Sequence, residues 1–222
     1  MNKRIEFIAL MLLAMVVSFL PFVSWPFMWV QTFFHEISHG LAAILTGGNI
    51  SSIELHIRGS GVCYTQGGMR FIVAFSGYFG AAVCGMLFYL SVAGMGHNKV
   101  RVFSLVFGSL VVFSLVMWAR DLITILILLV IAALCFVPLI NNWHPRLVQY
   151  FMQFIGCYIL LDALKTPLYL IDGRSFGDGE TLSKLTHLPE IVWVLVWEAA
   201  AVMCLYLIWK QLRVVATGPV TL

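Results

Sequence analysis

The sequence is short of charge. Only 10% of its 222 residues are charged and 61% are hydrophobic, where a soluble domain carries roughly 25% charged residues. So few charges cannot cover a water-facing surface, which excludes an ordinary soluble domain and makes lipid the solvent for most of the chain. A basic stripe is missing too. The thirteen Lys and Arg residues are scattered, mostly near the ends of apolar runs. That excludes nucleic acid as a partner and suits topology determinants and interface anchors.

Three further absences narrow the reading. The five cysteines (Cys63, Cys84, Cys135, Cys157 and Cys204) form no CxxC pair, so neither a disulfide framework nor a thiolate metal site is expected. Lys3 and Arg4 precede an apolar run at 7–22, as in a signal peptide. A small-x-small cleavage site does not follow, so the run reads as an uncleaved first span. Internal repeats, low-complexity tracts and linkers are also lacking. Residues 1–222 therefore read as one polytopic membrane domain, and regulatory membrane subunits would be separate chains.

What the sequence does hold is apolar runs of spanning length, ~20 residues each. They lie at about 5–23, 27–46, 71–93, 100–118, 122–140, 147–171 and 190–209. Arg120-Asp121 makes one break uncertain, so six or seven spans are expected. Between the second and third runs, Ile53, Leu55 and Ile57 alternate with Glu54, His56 and Arg58, and Gly59-Ser60-Gly61 follows. That pattern predicts a β-hairpin, too short to cross lipid. Polar stretches at 141–145 and 172–189 read as a turn and a longer loop carrying a short helix. The expected fold is an all-α integral membrane bundle of six to seven transmembrane helices, with a small β-hairpin after the second helix.

Inside the second run stands His35-Glu36-Ile37-Ser38-His39. Histidines four apart share one helix face, one turn apart, and both reach a single metal ion. Glu36 points near such an ion without needing to bind it, the place of the general base in zinc peptidases. Ionisable residues in membrane helices are costly and are functional by default. A zinc site usually has a third protein ligand and one open position. The candidates are Asp178, within Gly177-Asp178-Gly179; Asp162, in the sixth span near Lys165; Asp121, beside Arg120 and paired with it in the blander reading; and His56, on the polar face of the hairpin.

Phe34-His35-Glu36-Ile37-Ser38-His39-Gly40 resembles the site-2 protease family of intramembrane zinc metallopeptidases, and most of all its compact bacterial branch without a PDZ domain. Thr46-Gly47-Gly48, Gly59-Ser60-Gly61-Val62 and the 74–80 stretch follow in the order of that branch. Arg120-Asp121 is similar to an Arg-Asn pair there. Gly177-Asp178-Gly179-Glu180-Thr181-Leu182, with Thr186 and Pro189, is similar to a Ser-Asp-Ala…Leu…Thr…Pro stretch. The Asn-Pro…Leu-Asp-Gly sequence that supplies the third ligand in better-known members is absent. The resemblance implies one zinc ion on His35, His39 and Asp178, with Asp178 preferred to Asp162. It also implies a bacterial cytoplasmic membrane and membrane protein or peptide substrates.

Such an enzyme must hold its substrate extended, because a helix hides its peptide bonds. The strand edge through Ile53, Glu54, Leu55, His56 and Ile57 suits pairing by β-addition; a cap over the site is its other use. Gly77 and Gly80 suit close helix packing. The function expected is zinc-dependent hydrolysis of a peptide bond in or near the bilayer, with Glu36 as general base. The rival reading is a zinc-binding membrane protein that cleaves nothing: a metal sensor, an assembly factor or a transporter.

Overall fold

Proline and glycine punctuate the helix that carries the histidines. Pro26 occupies the first turn of α2 (Trp25–Leu45), where its missing N–H goes unneeded. At the other end Gly47 takes a positive φ of 87°, which stops the helix without a Cβ penalty. Between them the apolar face of α2 buries Val30, Phe33, Phe34 and Ile37. The computed structural model describes residues 2–93, 97–139, 144–171 and 177–216. Parts of the polar stretches at 141–145 and 172–189 lie outside them.

Around α2 stand α1 (Lys3–Ser18), α3 (Arg70–Val92), α4 (His97–Trp118), α5 (Leu122–Phe136), α6 (Pro145–Lys165), the short α7 (Asp178–Thr186) and α8 (Glu190–Ala216). Two 3-10 turns, Val137–Leu139 and Pro167–Leu170, continue α5 and α6. Among the described residues four helices are long and apolar enough to cross a membrane: Arg70–Val92, Val100–Trp118, Arg146–Leu170 and Glu190–Leu212. Length and apolarity alone do not bring the count to the expected six or seven: α2 has 21 residues but carries His35, Glu36 and His39, and two further runs fold as shorter helices. The run at 5–23 folds as a helix of 16 residues, and that at 122–140 as one of 15. At 1.5 Å per residue each covers ~22–24 Å of a ~30 Å hydrocarbon layer.

The hairpin forms directly after α2. Strands β1 (Asn49–Leu55) and β2 (Gly61–Gln66) pair antiparallel, with Ile53 opposite Cys63 and Leu55 opposite Gly61. Its tip is clipped to α2, since Trp29 Nε1 donates to the Ile57 carbonyl at 3.0 Å and Thr32 Oγ1 to the Gly59 carbonyl at 2.7 Å. The outer edge of β1 is covered. Ile53 bridges Ala119, and the Leu55 N–H donates to Thr124 Oγ1 at 2.8 Å. The other edge of β2 pairs with no further strand among the described residues.

Arg120 and Asp121 each cap a helix end rather than pair with one another. Arg120 donates to the carbonyls of Met117 and Ala119 at the end of α4, while Asp121 Oδ1 accepts from the Thr124 N–H at 2.9 Å to start α5. Burial pushes the Asp121 carboxyl up, but hydrogen bonds from Thr124 and Ile123, with His56 nearby, outweigh it and hold it below the usual carboxylate range.

Candidate metal centre

On α2, His35 and His39 lie one turn apart with ring centroids 4.7 Å apart and Nε2 atoms 3.1 Å apart. Nδ1 of His39 is 2.7 Å from the Val73 carbonyl on α3. A carbonyl only accepts, so the ring proton sits on Nδ1 and the Nε2 lone pair faces inward. Room for the pair comes from Gly77. A Cβ there would lie 2.6 Å from His35 Cε1 and press on His39 Nε2. The close approach expected of Gly77 is thus to the histidines; Gly80 packs on Ser38.

Asp178 opens α7, and its Oδ2 lies 3.1 Å from His35 Nε2 and 3.2 Å from His39 Nε2. The helix is seated by Leu182, which is fully buried with Ala74 and Trp197. At the same end Gly179 abuts Glu190, whose Cγ would be 2.7 Å from an added Cβ. A side chain at Gly179 would have to displace that of Glu190 or shift the start of α7. Burial alone would raise the Asp178 carboxyl; positive charge at the facing His39 and His35 imidazoles overcomes this and holds it below the usual carboxylate range.

The three donors suit zinc. Tetrahedral zinc with nitrogen and oxygen ligands at ~2.0–2.1 Å has neighbouring donors ~3.3 Å apart, close to the three separations found. His39 Nε2 and the Asp178 carboxylate are both acceptors, so a cation between them is what makes the contact favourable. Two neutral imidazoles and one carboxylate form a common zinc donor set.

A cavity of about 900 Å³ opens onto this cluster. His35, Glu36, His39 and Asp178 line it together with Gly61, Val62, Cys63 and Thr65 of β2. Arg70 and Tyr169, both exposed, also line it, so the cavity opens to the outside of the bundle. Glu36 is buried, with its side chain against Gly61. The other sequence candidates lie elsewhere. Asp162 is outside the donor cluster, with Lys165 and His35 as its electrostatic neighbours. His56 is exposed at the hairpin turn. Ile53 and Leu55 are buried in the core, Ile57 is exposed, and none of Ile53, Glu54, Leu55, His56 and Ile57 lines the cavity. Sequence reasoning passed over Tyr78, whose ring meets His35 edge-on at 4.5 Å. Its one signal was a polar tip in a mostly apolar helix, which Ser76, Tyr89 and Ser91 share.

A family model described as Peptidase M50B-like matches residues 8–208, a stretch that takes in both histidines and Asp178. The chain belongs to this family. No curated protein and no solved structure was found to match it. Membership of the Peptidase M50B-like family bears out the resemblance to the site-2 proteases and makes the chain a metallopeptidase. With four helices among the described residues fit to cross a bilayer, it is an integral membrane metallopeptidase. As a Peptidase M50B-like protein it has lipid as its surroundings and membrane proteins as its substrates.

Proposed function

We propose that the chain is a zinc-dependent endopeptidase that cuts membrane proteins within or near the bilayer, using His35, His39 and Asp178 as zinc ligands and Glu36 as general base. The observation that carries this reading is the meeting of two histidines from α2 with a carboxylate from α7. All three donor atoms lie within about 3 Å of one another in a family of metallopeptidases. The reading extends to a single metallopeptidase domain, six or seven spans in a bacterial cytoplasmic membrane, and regulatory subunits supplied by other chains.

Bound zinc would supply water activation and polarisation of the scissile carbonyl. The chain's own residues do the rest. Val73 holds His39 in the tautomer that presents Nε2. Asp178 offsets half of the ion's charge in surroundings of low dielectric. Glu36, buried but lining the cavity, takes a proton from the attacking water and delivers it to the leaving amine. For the hairpin we assign substrate pairing to the outer edge of β2, over 61–65. Ile53, Glu54, Leu55, His56 and Ile57 then act from behind, as the partner strand and turn that stiffen that edge. An extended segment added there would bring its peptide bonds past Glu36.

The test is metal dependence. Purified protein should contain one zinc per chain and cleave a subset of co-expressed single-span membrane proteins. Stripping the metal with a chelator should stop cleavage, and zinc should restore it. Zinc bound with no cleavage of any membrane protein, at any zinc level, would favour the non-proteolytic rival.

A further inference from the structure

Water adding to a scissile carbonyl places negative charge on the carbonyl oxygen. A donor already aimed at that oxygen lowers the barrier. Glu36 approaches the water as an acceptor, and the N–H of His39 is already taken by the Val73 carbonyl, so neither is free to donate to that oxygen.

Tyr78 on α3 lines the same cavity. Its ring is wedged between two partners: His35, edge-on at 4.5 Å and 74°, and Trp197 of α8 at 4.7 Å. Trp197 is itself fixed, being 1% exposed with Nε1 donating to the Phe75 carbonyl at 3.0 Å. The phenol therefore has one seat beside the donor cluster. Asp178 and Glu36 are both within electrostatic reach of its hydroxyl. Both belong to the reacting centre. The hydroxyls of Thr166 and Thr181, which also line the cavity, already donate to the Asp162 and Gly177 carbonyls. Tyr78 has no hydrogen-bond partner among the described residues. Packing alone does not ask for a hydroxyl here. The same helix has Phe71, Phe75 and Phe79, and a Phe would fill the space between His35 and Trp197 equally well.

We propose that the Tyr78 hydroxyl donates a hydrogen bond to the oxyanion forming on the scissile carbonyl, which makes Tyr78 a catalytic residue. The phenol keeps its proton throughout, and no bond other than the hydrogen bond is made. The inference rests on the peptidase reading above.

The experiment compares wild type with Tyr78→Phe, both purified in detergent and loaded with zinc. The probe is an end-blocked phosphinic dipeptide, Leu-ψ(PO2-CH2)-Leu, whose phosphinate oxygens mimic the oxyanion. Its ψ(CH2-CH2) hydrocarbon isostere is the control. Both proteins should hold one zinc. Tyr78→Phe should bind the phosphinate about 10²–10³-fold more weakly and the isostere unchanged. Equal phosphinate binding by the two zinc-loaded proteins would overturn the proposal. So would loss of zinc in Tyr78→Phe, which would make Tyr78 a support for His35 alone. A wild type that holds zinc yet prefers the phosphinate no more than the isostere would instead overturn the peptidase reading, and this proposal with it.

Discussion

Nδ1 of His39 and the carbonyl of Val73 are 2.7 Å apart. That one contact ties the histidine helix to α3 through the main chain, so the metal geometry depends on how closely α2 and α3 approach. Gly77, one turn further along α3, permits the approach. Gly77→Ala should therefore lower zinc affinity about 10–100-fold, the range for losing a group that orients a ligand, while the protein stays folded. A zinc competition titration beside a circular dichroism spectrum checks this. His35→Ala and His39→Ala should lose zinc altogether.

The two aspartates should separate cleanly. Asp178→Ala removes an oxygen 3.1–3.2 Å from both histidines and should abolish zinc retention and cleavage together. Asp162→Asn leaves the donor cluster intact, so zinc content should stay near one per chain, and the change should appear in thermal stability. Metal analysis of both variants decides between them. Full zinc in Asp178→Ala with loss in Asp162→Asn would reverse the assignment.

Much of this arrangement was legible in the sequence, and the rest was hidden for identifiable reasons. Apolar length located the helices, and His35, Glu36 and His39 marked the centre because no packing role explains three ionisable groups in one apolar stretch. Asp178 is 139 positions beyond His39, so no local spacing could select it. The similarity of the 177–189 stretch to the site-2 proteases was its main signal. The hairpin shows the limit most clearly. Alternation at Ile53, Leu55 and Ile57 tells which side chains share a face, but not which edge of the pair is free. That is set by Ala119 and Thr124, which cover β1 from a distant part of the chain.

Asp121 gives a prediction apart from the metal. As the N-cap of α5, it should cost ~1 kcal/mol when changed to Ala and less when changed to Asn, which also caps. Its carboxyl is held below the usual range in the folded protein. The contribution should therefore be fully present above the unfolded value of ~3.9, and be lost as pH falls toward the lower folded value. Melting curves of wild type and Asp121→Ala should converge in acid. A gap that widens in acid would contradict the cap assignment.

Glu36 carries the central claim. Glu36→Gln keeps the size of the side chain in its place against Gly61 but removes the base, and Glu36 is not one of the three donors. The most direct measurement is zinc content and membrane-substrate cleavage on the same preparations of wild type and Glu36→Gln. The account predicts one zinc per chain in both proteins and cleavage by the wild type only. Undiminished cleavage by Glu36→Gln would contradict it.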